Sequence, residues 1–432
     1  MDTPIRSANR LRPARLAGYL ILLVLSAVGL WAIGVRFAEG LKVTHMTQHV
    51  PWGLWIALYI YFIGLSAGSF LISTLIYVFG MKRFEPVGPL ALVQALGCLL
   101  IGLVLIWIDL GHPERFFNVL IYWNPTSVLA WEVLFYTGYA AILLCELFLV
   151  FKPLLARRVR AGGPWAKLSR VLSLGGGDCG PAWQARARRW MLVLGTIGIP
   201  VAVGVHGGTG AIFAVVKSRP TWYTGLFPII FLVSALASGG ALLTFLTAAT
   251  SQLPEARKQD LVRGLARMTV GIVALDLILV GSEVLVVFYG GMANHIAGWK
   301  DILFGPLWWI FWFIQFGIGA VVPILIVAGR RTGRSVAWLG LSGLLVVIGV
   351  IAVRLNIVVP AQLAPQFPGL PESYHHMRFE QGYFPSANEW LVGMGCIAMG
   401  VWVFLLARKI LPLPDAEKAG LASEGALGEQ RG

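Results

Sequence analysis

The stretch from Pro51 to Gly80 reads PWGLWIALYIYFIGLSAGSFLISTLIYVFG and contains no charged residue. About 20 apolar residues, at about 1.5 Å rise each, cross about 30 Å of hydrocarbon, so this stretch can span a bilayer. It also has features that a simple anchor does not need: the entrance Pro51-Trp52-Gly53, Tyr59 and Tyr61, and the small-residue segment Gly64–Gly68. Small residues four positions apart let a second helix approach closely. We therefore predict a packed inner helix of a polytopic membrane protein.

The composition of the whole chain is that of an integral membrane protein. Hydrophobic residues make up 57% of the 432 residues and charged residues 12%, whereas soluble domains contain about 25% charged residues. The net charge of +14 could indicate nucleic-acid binding, but the charges lie in short runs between apolar segments, as the positive-inside rule predicts. We therefore expect an all-α protein that contacts the lipid bilayer and binds no nucleic acid.

The apolar segments predict about ten transmembrane helices. With a cytoplasmic N-terminus, the inner segments hold 26 of the 34 Lys and Arg residues and the outer segments hold 8, so both termini are expected in the cytoplasm. We expect a basic cytoplasmic tail at 1–15, a transmembrane domain at 16–411 and a disordered cytoplasmic tail at 412–432. The predicted spans are 16–35, 52–80, 89–109, 127–151, 190–216, 226–249, 268–289, 303–328, 336–354 and 389–411.

A weak internal similarity indicates two related halves. The second span contains Ser66-Ala67-Gly68-Ser69-Phe70-Leu71, and the sixth contains Ala237-Ser238-Gly239-Gly240-Ala241-Leu242. Each follows an outer entrance that carries Trp and Pro residues. We predict two four-helix bundles, made of spans 2–5 and 6–9, with helices 1 and 10 at their sides.

Ionisable residues inside the predicted spans are the strongest functional signal. A charge near the bilayer centre costs about 2.5–3.5 kcal/mol even on insertion scales, so such residues usually serve a function. Asp276 and Glu283 are seven positions apart, which places them on one helix face about 10 Å apart along the axis. We regard them as candidates for proton transfer; hydrogen bonding within the bundle is the structural alternative. Asp109, Glu146 and Arg354 lie near predicted helix ends, where contact with water is the structural alternative. The full set comprises Asp109, Glu132, Glu146, His206, Asp276, Glu283 and Arg354.

The histidines and cysteines argue against a redox cofactor bound by this chain itself. His206 is the only histidine inside a predicted span, whereas a bis-histidine haem needs axial histidines on facing helices. The four cysteines, Cys98, Cys145, Cys179 and Cys396, are far apart and form no C-x-x-C motif. We therefore expect no haem, iron–sulfur cluster or metal ion of its own. His206 could equally be a satisfied core histidine.

Several polar and aromatic residues map to the outer half of the predicted bundle. A quinone needs hydrogen-bonding partners for two carbonyls, an apolar slot for its tail and a nearby proton donor or acceptor. The candidate quinone-binding residues are Trp52, Tyr59, Asp109, Glu132, His206 and Arg354. The outer loops add further polar residues, namely His45, His49, His112, Glu114, Arg115, Tyr374, His375, His376 and Tyr383.

Several motifs, taken together and in this order, resemble the NrfD/PsrC family of membrane subunits from polysulfide-reductase-type complexes. The first is Pro51-Trp52-Gly53 followed by the glycines of the same span. The second is Asp109-Leu110-Gly111-His112-Pro113 with Arg115-Phe116, and the third is Asn124-Pro125-Thr126-Ser127 with Trp131. Later motifs resemble the larger, ten-helix branch of the family, which includes membrane subunits of hydrogenase-2, the Dsr complex and alternative complex III. These motifs are His206 to Gly210, Ser218-Arg219-Pro220, Arg354-Leu355-Asn356, and Tyr383 with Glu389.

The resemblance implies a helical bundle that binds menaquinone or ubiquinone near the outer face of a bacterial or archaeal cytoplasmic membrane. It implies a ferredoxin-like iron–sulfur subunit on that face, and catalytic molybdopterin, hydrogenase or similar redox subunits beyond it. In the family, a quinone pocket forms near the outer part of the matching second helix, where Trp52 and Tyr59 fall.

Two functions of other classes stay open at this point. A proton-coupled transporter would use Asp276 and Glu283 as coupling sites and would favour helices broken near the membrane midplane. A structural anchor would only dock soluble redox subunits and would tolerate changes at every intramembrane acid.

Overall fold

A computed structural model describes residues 5–176, 179–363, 369 and 382–411. Within these ranges the regular structure is helical throughout, without any strand. Ten stretches of the described chain are long and apolar enough to cross a membrane. The prediction of an all-α integral membrane protein with ten transmembrane helices is thus confirmed.

The helices run in chain order as follows: α1 (Ile5–Glu39), α2 (Leu54–Tyr77), α3 (Gly88–Asp109), α4 (Asn118–Ile121), α5 (Val128–Ala161), α6 (Ala166–Leu172), α7 (Pro181–Ala214), α8 (Phe227–Thr250), α9 (Glu255–Gly290), α10 (Ala293–Phe304), α11 (Val322–Ala328), α12 (Val336–Val358), α13 (Pro360–Leu363) and α14 (Ala387–Ile410). A π-helical segment, Ile310–Val321, leads directly into α11.

Several helices extend beyond the apolar segments that predicted them. The predicted inner loop 152–189 contains the last turns of α5, all of α6 and the first turns of α7. Likewise, α1 begins at Ile5 inside the expected basic tail. The reason is that Ala, Leu, Arg and Lys are good helix formers even where the sequence is no longer apolar. The predicted tail 412–432 and the residues Tyr374, His375 and His376 lie outside the described residues.

The transmembrane helices form two units of four. In the first unit, α2, α3, α5 and α7 contact one another around a ring, and in the second, α8, α9, the π-helical segment with α11, and α12 do the same. The remaining two helices, α1 and α14, pack along each other, and α14 also contacts α3. This is the arrangement predicted from spans 2–5 and 6–9.

The two units meet where α2 packs against α8, at the two segments that resemble each other in sequence. A Cβ atom on Gly68 would collide with the carbonyl group of Ala235, and one on Gly239 would collide with the backbone of Gly68 and Ser69. The backbones can approach this closely because both residues lack side chains. Helix α2 is buried from Leu54 to Thr74 and, with contacts to both units, forms the centre of the molecule.

Candidate functional site

Four side chains from α2, α5 and α7 form a buried cluster, which we call the hydroxyl–carboxyl cluster. The hydroxyls of Tyr59 and Tyr136 lie 2.5 Å apart, and Tyr136 donates to Oε1 of Glu132 at 2.8 Å. The Thr209 hydroxyl lies 2.5 Å from the same carboxylate oxygen, and Tyr59 lies 3.5 Å from it. Glu132 and Thr209 are each 1% exposed. Three hydroxyl groups thus converge on one carboxylate oxygen inside the helical bundle.

The second oxygen of this carboxyl group, Oε2 of Glu132, is buried and has no hydrogen-bond partner among the described residues. An unpaired polar atom at such a position costs free energy, and water or a polar ligand would satisfy it. The cluster therefore offers the Tyr59 hydroxyl, the most weakly bound of the three, as a donor for a carbonyl oxygen, and a carboxyl group that can take or give a proton.

Sequence reasoning found Tyr59 and Glu132 but not Tyr136 and Thr209. The available signal was helical spacing, because Tyr136 is four residues after Glu132, and Thr209 is three after His206. The same face of α5 continues with Tyr139 and Glu146, which are buried as well. Tyr139 donates to or accepts from Ser66 Oγ at 3.0 Å, so α5 carries a buried polar line rather than a single acid.

A second cluster, the His206–Arg354 cluster, surrounds Gly64 of α2. A Cβ atom on Gly64 would lie 3.2 Å from Nε2 of His206, 3.4 Å from Nη2 of Arg354 and 3.5 Å from Oγ of Ser238. Arg354 donates to the Ser234 hydroxyl at 2.7 Å. A side chain at Gly64 would therefore crowd the imidazole from α7 and touch the guanidinium group from α12.

Most polar atoms of the His206–Arg354 cluster lack partners. Both ring nitrogens of His206, and Nε and Nη1 of Arg354, are buried without a hydrogen bond within the described part of the chain. Both residues are 0% exposed. Arg354 interacts electrostatically with Asp276 of α9, whose Oδ1 also lacks a partner among the described residues. This site thus combines unsatisfied donors with a carboxylate nearby, as expected of a place that holds water or a polar ligand.

A series of aromatic contacts connects Trp52 to the His206–Arg354 cluster. Its indole stacks on Trp222 with centroids 5.5 Å apart and meets Phe213 edge-on at 5.4 Å. Phe213 lies 5.6 Å from Phe231, and the guanidinium of Arg354 lies over Phe231 at 4.8 Å from its centroid. We call these four rings the aromatic column, which leads from the start of α2 into the bundle.

Asp109 lies outside the two clusters described above. It ends α3 and interacts electrostatically with Glu389 of α14 and Arg36 of α1. Arg36 donates to the carbonyl oxygens on either side, Ile108 at 3.0 Å and Leu110 at 2.7 Å. Asp109 therefore belongs to a group at the α1–α3–α14 junction.

The remaining predicted residues lie apart from these clusters or at their edge. Glu283 is buried on α9, and its Oε1 has no hydrogen-bond partner among the described residues. The loop residues His112, Glu114 and Arg115 are exposed and pair with one another, with His112 Nδ1 3.0 Å and Arg115 Nε 3.6 Å from Glu114. These contacts stay within the loop after α3. In the described ranges, no three His, Cys, Asp or Glu side chains are grouped so that they could hold a metal ion.

Comparison with known proteins gives consistent matches over most of the sequence. The family model described as "Polysulphide reductase, NrfD" matches residues 42–366. The chain is 40% identical over 408 residues to a selenate reductase subunit of Mesobacillus selenatarsenatis, covering 93% of this chain and 95% of the relative. It is 29% identical to the Hdr-like menaquinol oxidoreductase integral membrane subunit of Archaeoglobus fulgidus, covering 91% and 92%. It is 26% identical to one of the polysulfide reductase polypeptides of Wolinella succinogenes, covering 72% and 95%.

Proposed function

The chain belongs to the NrfD polysulphide reductase family, as its motifs predicted, and on this premise we propose that it is the quinone-interacting membrane subunit of a respiratory oxidoreductase. It would exchange electrons between an iron–sulfur partner subunit and menaquinone or ubiquinone near the predicted outer face. Support comes from relatives whose names describe a menaquinol oxidoreductase subunit and parts of reductases.

The observation that carries this proposal is the hydroxyl–carboxyl cluster. Oxidation of a quinol releases two electrons and two protons, and reduction of a quinone takes them up. Tyr59 would donate a hydrogen bond to a ring carbonyl, and Glu132, which Tyr136 links to Tyr59, would accept or return the proton. The burial of the cluster excludes bulk water, so the proton moves between fixed groups.

His206, Arg354 and Trp52 would serve the same ring from neighbouring positions, whereas Asp109 would act at the α1–α3–α14 junction. His206 and Arg354, with unsatisfied donors around Gly64, would hydrogen-bond the second carbonyl. Trp52, at the outer end of the aromatic column, would form an apolar wall. Asp109, beside Glu389 and Arg36, would exchange protons with the outer surface.

Proton transfer deeper into the membrane forms part of the proposal. Asp276, coupled electrostatically to Arg354, would take protons from the His206–Arg354 cluster, and Glu283 lies two turns closer to the predicted outer face on the same helix. Both carboxyl groups have a buried oxygen without a hydrogen-bond partner in the described chain. They could thus carry protons part of the way across the bilayer.

We further propose that the electrons pass through partner subunits, because this chain would bring no haem, cluster or metal ion of its own. The partners would be a ferredoxin-like iron–sulfur subunit on the outer face and a catalytic molybdopterin, hydrogenase or similar redox subunit. The transporter alternative is less well supported, because α2 and α7 run unbroken through the Gly64–Gly68 and Gly204–Gly210 segments.

Two tyrosines of α2 provide a matched test. Tyr59 joins the hydroxyl–carboxyl cluster, whereas Tyr61 is similarly buried and packs edge-on against Phe62. Quinol-dependent turnover would be measured for Tyr59→Phe and Tyr61→Phe in the assembled complex in membranes. We expect a loss of about tenfold or more for Tyr59→Phe alone. Equal turnover in the two variants would contradict the proposed site.

A further inference from the structure

A buried glutamine next to the second unit hydrogen-bonds the backbone of Trp52, just before the start of α2. Gln362 of α13 is 1% exposed. Its Oε1 accepts the backbone N–H of Trp52 at 3.2 Å, and its Nε2 donates to the Trp52 carbonyl at 2.8 Å. Nε2 also donates to the carbonyl of Val358 at 2.7 Å. One side chain thus satisfies both backbone polar groups of Trp52 and ties them to the end of α12.

A tyrosine hydrogen-bonds the backbone two residues after Trp52, at the first residue of α2. The hydroxyl of Tyr383 accepts the backbone N–H of Leu54 at 2.7 Å and donates to Oε1 of Glu389 at 2.5 Å. Burial, together with the charge of Glu389, raises the pKa of Tyr383, so the hydroxyl keeps its proton. A side chain at Gly53 would collide with this hydroxyl. The glycine of the Pro51-Trp52-Gly53 motif is therefore required for this contact.

These contacts replace the usual cap of a helix. The first N–H groups of a helix have no partner within the helix, and Gly53 has no side chain to accept them. Tyr383 satisfies Leu54, and Gln362 satisfies Trp52 two residues earlier in the sequence. Gln362 therefore fixes the Trp52 backbone directly, and Tyr383 fixes the first residue of α2 two positions later, although both side chains lie far away in sequence.

The stacking partner of Trp52 is held by the same part of the second unit. The indole N–H of Trp222 donates to the carbonyl of Ile357 at 2.7 Å, close in sequence to Val358 and Gln362. The two stacked rings, Trp52 and Trp222, therefore share one support at the end of α12. A loss of either hydrogen-bonding group would let the outer end of the aromatic column shift.

We propose that Gln362 and Tyr383 are positioning residues that hold Trp52 at the outer end of the aromatic column and thereby set the affinity of the site for the quinone ring. This inference rests on the proposed function for its ligand. Neither residue transfers a proton or touches the ring. Their loss weakens binding of the ground state and the transition state alike, so KM rises while kcat stays nearly unchanged.

The test compares two buried glutamines changed to methionine, which keeps the volume and removes the hydrogen bonds. Gln362→Met loses the contacts with Trp52. Gln94→Met is the matched control, because Gln94 is 3% exposed and donates to Ser69 and to the carbonyl of Gly239 at 3.1 Å, away from the α2 entrance. Two quantities are measured in the assembled complex: steady-state kinetics with a short-tailed naphthoquinol, and hydrogen exchange of a peptide covering residues 49–56.

For Gln362→Met we expect about tenfold faster exchange in residues 49–56 and a KM raised about tenfold, with kcat within about twofold of wild type. Tyr383→Phe, which removes only the hydroxyl, is the second variant and should change both quantities in the same direction. Gln94→Met should change neither of them. Unchanged exchange in both Gln362→Met and Tyr383→Phe would overturn the positioning role.

A KM that rises in Gln94→Met too would overturn the positioning role of Gln362 and Tyr383, because the effect would then reflect general loosening of the bundle. Failure of the proposed function is recognised separately. In that case Tyr59→Phe keeps wild-type turnover and Gln362→Met keeps a wild-type KM. Exchange at residues 49–56 still rises in Gln362→Met, so only the link to quinone affinity is overturned.

Discussion

The hydroxyl groups of Tyr59 on α2 and Tyr136 on α5 lie 2.5 Å apart, deep in the first four-helix unit. Two such groups can share only one proton along the line between them, so the second proton must point elsewhere. Tyr136 is 2.8 Å from Oε1 of Glu132, which makes the carboxyl group the next member of this hydrogen-bonded series. A ligand that accepts a hydrogen bond from Tyr59 would therefore reorder the protons as far as Glu132.

Replacing Glu132 with Gln tests whether this protein exchanges protons with quinol. The amide keeps the shape and one acceptor oxygen but cannot take up a proton at neutral pH. We expect quinol turnover of the assembled complex to fall about 100-fold, with KM changed much less, because proton transfer typically contributes about 10²–10⁴ to a rate. The control is Glu39→Gln, since Glu39 is an exposed acid that pairs with Lys42. Turnover within twofold of wild type in Glu132→Gln would exclude Glu132 as the proton acceptor.

Two threonines allow the contribution of a single hydroxyl to be measured. Thr209 reaches Oε1 of Glu132 at 2.5 Å and the carbonyl of Val205 at 2.8 Å, whereas Thr137 on α5 is exposed and donates to the carbonyl of Val133 at 2.9 Å. Thr209→Val removes one donor to the carboxylate at nearly constant volume. A hydrogen bond to a charged group contributes about 1.5–3 kcal/mol, so we expect turnover to fall about 10- to 100-fold. Thr137→Val should match wild type; a similar loss in both variants would show that the effect is not specific to the cluster.

Much of the fold follows from the sequence alone, for a physical reason. Hydrocarbon requires every backbone group to be paired within its own helix, so length and apolarity identify the spans. Small residues identify α2 and α8 as closely packed, because lipid provides no other drive for helix contact. The ends of α5, α7 and α9 were less predictable, because a helix that leaves the membrane no longer needs apolar residues.

The candidate site was predictable only in part. The cost of burying charge made Glu132, His206 and Arg354 visible in the sequence. Tyr136 was not visible, because tyrosine is common in spans and its inward direction depends on how α5 is rotated. Asp109 lies at the same predicted depth as the others but at another junction of helices. The sequence predicts how deep a residue lies along the membrane normal. It does not show where the helix that carries the residue lies within the membrane plane.

The close contact between α2 and α8 predicts an effect on stability. In Gly68→Ala the new methyl group would collide with backbone atoms of Ala235, which cannot rotate away. Such overpacking costs about 1–3 kcal/mol and at times more, so the midpoint of thermal unfolding in detergent should fall by several degrees. Gly271→Ala on α9 is the control, because no atom lies within 4 Å of its added carbon. That variant should keep or slightly raise the midpoint, and equal midpoints for both variants would contradict the packing described for Gly68.

The proposed proton route through the second unit can be tested with two aspartates of α9. Asp276 is coupled to Arg354 inside the bundle, whereas Asp260 is exposed and pairs with Arg83 at 2.7 Å. The assembled complex in proteoliposomes would be assayed for protons moved per electron pair, together with turnover. Because an amide cannot relay a proton, we expect Asp276→Asn to lower this ratio while turnover changes less than about threefold. Asp260→Asn should keep the wild-type ratio. If Asp276→Asn also keeps it, protons reach the proposed quinone site without α9, and the buried line of Glu132, Tyr136, Tyr139 and Glu146 on α5 becomes the next route to test.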